Sequence, residues 1–249
     1  MALLKVLLLL LGLGVSVNSG VSLQKRIIGG LNCDDGERLH HVRLESSKGD
    51  KRIRCGGSLI HPEWILTAAH CWKPGWTNTA ILKVHPRTAG QQSQIIGSNT
   101  VTYTHGDHQH GIMLLKLQTP VTDVPPALLP DCRRRLKVGD VVQLAGEGGT
   151  TPSPNNKRLR NAPIPSHLQC VDMKVLQVSD ILPGVGYLLY AARPSKDMCH
   201  GDSGGAAMHN GTIYGLICTG GANYACWRRV ALMDVCEYLG WIKQKTGPE

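Results

Sequence analysis

The patterning of the chain predicts an all-β architecture, either barrel or sandwich. Three observations carry that reading. Beyond Arg26 the apolar residues fall in short β-branched or alternating segments, among them 53–60, 80–84, 141–145 and 212–218, broken at close intervals by Gly, Pro and Asn. Nine cysteines are too many for a reducing cytosol and point to an oxidising compartment, with one thiol left over because the count is odd. Only one segment has a clear helical period: Val235, Leu239 and Ile242 recur at i, i+4, i+7, with Lys243 and Lys245 placed to complement the dipole of a C-terminal helix.

At 249 residues, 42% apolar and 18% charged, the chain can bury a sizeable core, which excludes disordered, fibrous and collagenous classes. Lys5 followed by the apolar run 6–15 and the small residues Ser16, Ser19 and Gly20 reads as a secretory signal peptide over 1–20. That run is too short to span a bilayer, and no later stretch reaches the roughly 18 residues a membrane helix needs. The expectation is therefore a secreted, extracellular monomer that contacts neither membrane nor nucleic acid. The formal charge is +9, and removal of Lys5, Lys25 and Arg26 leaves +6. Basic runs at 133–137 and 157–160 make anionic glycans candidate partners, although such runs are more often solvated loops. Asn210-Gly211-Thr212 is both a glycosylation sequon and a hairpin-turn signal.

Four separated segments carry chemistry: Arg26-Ile27-Ile28-Gly29-Gly30, Thr67-Ala68-Ala69-His70-Cys71, His110-Gly111-Ile112-Met113-Leu114-Leu115-Lys116-Leu117 and Gly201-Asp202-Ser203-Gly204-Gly205. In this order they resemble the trypsin/chymotrypsin family of serine proteases over essentially all of 27–249. The resemblance implies two six-stranded antiparallel β-barrels with a cleft between them and the helix outside. It implies a propeptide over 21–26, with cleavage after Arg26 freeing an Ile27 ammonium to pair with Asp202. Ser203 would be the nucleophile, His70 its base, and the backbone N–H groups of Gly201 and Ser203 the oxyanion hole.

The third catalytic member is missing. Where the family places an aspartate that orients the histidine, this chain has Gly111, and the family's Ser-Trp-Gly is Cys218-Thr219-Gly220. Asp107, in the segment 104–110, is the one nearby carboxylate that a mobile loop could offer instead. The Gly-Trp-Gly at the start of the second barrel is Gly146-Glu147-Gly148. Asp197 holds the position from which trypsin-like members bind Arg or Lys, with Gly220 beside it and Val230 narrowing the far wall; a solvated loop acid is the alternative for Asp197. By family pattern the disulfides are Cys33–Cys170, Cys55–Cys71, Cys132–Cys236 and Cys199–Cys226, which leaves Cys218 as the free thiol. Two family bridges are absent at both ends, at Val142/His209 and Ile181/Tyr190.

No cofactor is implied. The segment 85–94 has no acid with which to hold calcium, and His105, His108 and His110 in one loop are solvated more often than they bind zinc, so no metal is expected. Two readings of function follow: a secreted protease homologue that binds protein or peptide ligands, including ones with basic residues, without cutting them, or a trypsin-like endopeptidase working through an atypical site.

Overall fold

The computed structural model describes residues 27–149, 155, 163–218 and 229–247. Strand β1 (Leu31–Asn32) leads into a first sheet built from β2 (His41–Lys48), β3 (Lys51–His61), β4 (Trp64–Ala68), β5 (Thr77–Leu82), β6 (Gln92–Ile95), β7 (Thr100–His105) and β8 (His108–Lys116). A second sheet holds β9 (Val141–Gly146), β10 (Gln169–Leu182), β11 (Gly186–Ala192), β12 (Ala206–His209), β13 (Thr212–Cys218) and β14 (Val230–Asp234), and helix α1 (Leu239–Thr246) follows.

The first sheet runs β6-β5-β2-β3-β4-β8-β7, all antiparallel. Its seven strands are the six the sequence implies plus one interruption. β6 and β7 follow each other along the chain, parted only at 96–99, yet lie at opposite edges of the sheet, so the chain itself curls the sheet round on its own core. The second sheet runs β1-β10-β11-β14-β13-β12-β9, and a further β10–β9 pairing closes six of these strands into a barrel with β1 outside. Closure removes the exposed edges that a sandwich would leave.

Each barrel has an aliphatic core, as a chain without phenylalanine requires. Leu44, Leu59, Ile65, Leu82 and Leu115 fill the first, and Leu144, Val171, Met173, Leu189 and Leu232 the second. A third cluster at the seam joins Leu66 and Leu114 to Leu216, Met233 and Tyr238, and takes Ile242 of α1 as its cover. Val235 lies in a 3-10 turn ahead of α1 rather than within it. Asn210 and Gly211, both at positive φ, form the two-residue turn between β12 and β13, the turn geometry that Asn-Gly favours.

The seam also carries buried charge. Glu147, just past β9, accepts from Arg43 Nε at 2.6 Å and Nη2 at 3.0 Å, and pairs with Arg87 as well. Burial pushes the Glu147 carboxyl up, but the Arg43 hydrogen bonds and the charges of His41, Arg43 and Arg87 outweigh it and hold it below the usual range. Removing one partner of such a pair strands the other and costs about 3–5 kcal/mol.

His41 lies fully buried beside this cluster, its pKa pushed down to about 4 by burial, with Glu147 opposing and Arg43 adding. A histidine depressed in the fold contributes stability that is complete above its unfolded pKa near 6.5 and is lost as the pH falls towards 4, about 3 kcal/mol over that window. Chemical denaturation at pH 7 and pH 4 should therefore show an acid-induced loss smaller by about this amount in His41→Gln than in the parent protein.

Candidate active site

β4 ends at Ala68, and one 3-10 turn, Ala69–Cys71, carries His70 out to the mouth of the inter-barrel cleft. The disulfide Cys55–Cys71 staples this turn to β3. Both sulfurs lie within 4.8 Å of a His70 ring nitrogen, but being bonded to each other they offer no thiolate to a metal. From the other barrel, Ser203 sits in the turn before β12. The Gly56 N–H donates to its carbonyl at 2.7 Å, and the Gly204 N–H donates to Ile217 at 2.7 Å. A Cβ at Gly204 would stand 2.3 Å from Gly56 O and from Thr67 Oγ1, and its φ is +81°, so the close approach and the backbone both require glycine.

His70, Gly201 and Ser203 line one cleft of about 1120 Å³, together with Lys51, Arg54 and His200. The three residues that the resemblance casts as base, oxyanion-hole glycine and nucleophile thus share one cleft. Among the described residues, neither the Ser203 hydroxyl nor the His70 ring makes a side-chain hydrogen bond, to each other or elsewhere. Neighbouring protein, then the charge of Lys73, pushes the His70 pKa below its ordinary value, and no carboxylate opposes them. The imidazole is neutral at pH 7, but nothing fixes which nitrogen faces the serine.

At Gly111 even a Cβ would meet close neighbours. The Gly111 N–H donates to Val185 O at 2.7 Å, and a Cβ there would meet Met233 Sδ at 3.2 Å and Val185 O at 3.4 Å. Cys218 packs into the same apolar cluster as Met233 and Val185. A carboxylate in this surrounding would be desolvated with no partner. Asp107 does not stand in its place: 104–110 forms the tip of the β7–β8 hairpin, with His105 paired to His108 and Asp107 exposed in the turn. His110 turns inward, its Nδ1 2.9 Å from the Tyr238 hydroxyl, while His105 and His108 stay exposed.

Around the nucleophile, Ile27 is fully buried in the second barrel's core, and Ile28 bridges to Asp197. The Asp202 carboxylate accepts from Gly148 N and Cys199 N, each at 2.7 Å. Burial lifts its pKa to about 7 against the pull of those two N–H groups. Asp197 is buried and accepts from Met198 N at 2.8 Å, which excludes the solvated-loop alternative. Val230 is buried on β14; Gly220 and Arg26 lie outside the described residues. Glu147 enters the sequence reading only as a departure from family pattern. Its role as the clamp beside Gly148 has no local signal, because Arg43 and Arg87 are 104 and 60 residues away.

Cys33–Cys170, Cys55–Cys71 and Cys132–Cys236 are bonded as expected. Cys226, the expected partner of Cys199, lies outside the described residues. Of the two absent bridges, the register Met208↔Gln143 continues to set Val142 opposite His209, but Ile181 faces Tyr187, and Tyr190 faces Gln177. Ile181 and Tyr190 are thus not opposite one another, and the two irregularities in β10 are not what parts them, since unbroken pairing from Val175↔Ala191 would set Ile181 opposite Val185, farther still. Asn210 is exposed at its turn, open to a glycan. The Cys218 thiol is half-buried and burial pushes its pKa up, so little thiolate forms. Mapping of alkylated, unreduced peptides should find Cys218 labelled slowly in the native protein and fully once it is denatured. Recovery of Cys218 in an intramolecular disulfide would overturn the assignment.

Residues 27–242 match the Trypsin family model. The snake venom serine protease serpentokallikrein-1 of Protobothrops mucrosquamatus is 32% identical over 98% of this chain and 95% of its own, and a snake venom serine protease homolog of Bothrops jararacussu is 31% identical over 98% and 95%. The structure of neuropsin, a serine protease expressed in the limbic system of mouse brain, superposes with a TM-score of 0.70 at 24% identity, covering 88% of this chain and 99% of that one, and shares the fold. With His70 and Ser203 facing one cleft between the two barrels and a family match running from the buried Ile27 to the helix at Ile242, the chain belongs to the trypsin family of serine proteases.

Proposed function

We propose that the protein is a secreted trypsin-like serine protease homologue that has lost most of its catalytic power and acts by binding protein or peptide ligands. The observation that carries this is glycine at 111, which offers His70 no carboxylate, with Met233 Sδ and Val185 O already standing 3.2 and 3.4 Å from where a Cβ would be. In this family, exchanging that aspartate for asparagine lowers turnover about 10⁴-fold, roughly 5.5 kcal/mol of barrier. Glycine supplies neither acceptor nor shape, so the loss here is at least comparable. The leader 1–20, the propeptide 21–26 and a cut after Arg26 support secretion in a precursor form.

The first test is turnover of Arg- and Lys-containing peptides after cleavage at Arg26. A rate about 10⁴-fold below ordinary trypsin-like enzymes is expected, and a comparable rate would overturn the reading in favour of a working endopeptidase. Gly111→Asp with Cys218→Ser should recover little, because Met233 Sδ still crowds the new side chain. Adding Met233→Ala should open the space and raise turnover by roughly two or more orders of magnitude.

Binding and catalysis draw on different residues, so recognition of a basic side chain can outlast proton transfer. Asp197 is buried, as is Val230, which by the resemblance would form the far wall of its pocket. Calorimetry with an arginine-mimicking amidine should show weak, saturable binding to the cleaved protein and none to Asp197→Ser. Equal binding by both proteins would remove Asp197 from the recognition site.

A further inference from the structure

On the side of the seam lined by the segment before β2, by β9 and by the β12–β13 hairpin lies a second pocket, of about 520 Å³. Arg38 forms part of its wall and is held in a conformation an L-residue seldom adopts, φ +56°, with only 8% of its surface exposed. Its Nη2 donates to Gln143 O at 3.2 Å and to Gln143 Oε1 at 2.6 Å, both neutral acceptors. Its Nη1 is buried and, among the described residues, has no acceptor. Among the described residues no carboxylate comes within ion-pair distance; Glu37 and Asp172 act on it only from further off. Burial lowers the Arg38 pKa to about 10, which still leaves the guanidinium charged at neutral pH. A buried cation without a counter-charge is costly, and folded proteins ordinarily pair it.

The other walls narrow the choice of anion. His40, also lining the pocket, is pushed down to about 3 by burial and then by Arg38, so it is neutral and adds no second charge. Val141 and Met208 supply an apolar side, His209 and Asn210 a polar rim, and Glu37 stands exposed at the mouth. One guanidinium, one rim acid and an apolar wall suit a monoanion on a short apolar stem. A polysulfated glycan needs several cations and would meet Glu37. We infer that this pocket is a carboxylate-binding site, in which Arg38 receives the C-terminal carboxylate or an acidic side chain of a peptide or protein ligand. The site is separate from the cleft of His70 and Ser203 and works whether or not that cleft cuts.

The test is an amide-shift titration of the ¹⁵N-labelled protein, made in a Thr212→Ala background that removes the sequon and keeps the Asn210 side chain. N-acetyl-leucine should produce saturable shifts at Val141, Met208 and Gly211 with a Kd of roughly 1 mM or tighter, and N-acetyl-leucinamide should bind at least roughly tenfold more weakly. N-acetyl-glutamate amide separates the two sources. Binding as tight as N-acetyl-leucine assigns the site to acidic side chains, and weaker binding assigns it to chain ends. Arg38→Gln should abolish the shifts. Because that variant removes a buried group, Val141→Trp, at a half-exposed strand position, serves as a second block that fills the pocket. Equal binding of acid and amide, unchanged binding to a folded Val141→Trp protein, or displacement of N-acetyl-leucine by a sulfated disaccharide would each overturn the assignment.

Discussion

The nucleophile is held in place by a contact between two backbones that side chains would forbid. Gly56 on β3 donates to the carbonyl of Ser203, a Cβ at Gly56 would stand 3.0 Å from Gly205, and Gly204 lies tight against Gly56 O and Thr67 Oγ1. Glycines on both sides of the seam therefore let one barrel grip the serine turn of the other. The cleft exists because this grip fixes Ser203 while the Cys55–Cys71 bridge fixes His70 on the same strand, β3, of the first barrel. None of these contacts involves the position of the absent aspartate, so the geometry of the cleft does not depend on it.

What has changed lies one layer behind the cleft, and it has changed consistently. A triad aspartate is a buried charge that needs donors around it. Here Gly111 removes the charge, Cys218 stands where a hydroxyl donor supports it in the family, and the Met233 sulfur and Val185 carbonyl crowd the place of a Cβ. Each substitution alone would leave a polar group stranded or a void beside it. Together they convert a polar pocket into part of the core shared with Leu114, Leu216 and Tyr238, where packing rather than electrostatics sets the cost of change.

The fold was legible because strand pattern and motif order are local signals: residues 53–60, 141–145 and 212–218 all fall within β3, β9 and β13. His70, Ser203 and the vacant carboxylate at Gly111 were legible for the same reason, since each sits inside its own motif. What the chain did not disclose is set by long-range register and by partners far apart in sequence. Spacing alone cannot reveal that Ile181 pairs with Tyr187 and Tyr190 with Gln177, or that 104–110 pairs into a hairpin. Nor can it show that Glu147 meets Arg43 and Arg87, or that Arg38 lies buried without an acid beside it. Charge in a linear sequence reads as solvated surface; only the fold tells which charges are buried.

Asp202 shows how much of the electrostatic design survives. It is buried beside the second barrel's core, and burial lifts its pKa to about 7 against the N–H groups of Cys199 and Gly148, with Asp197 and Glu147 adding to the rise. A carboxyl raised in the fold is comfortable when protonated and becomes a growing burden as the pH climbs from its unfolded value near 3.9 through 7. An ammonium at Ile27 is the group whose charge would relieve that burden, and the Ile27 side chain is already packed in the adjoining core. Asp202 holds Gly148, next to the Glu147 clamp, and lies directly before Ser203, so an ammonium freed at Ile27 and paired with it would place its charge against the turn that carries the serine.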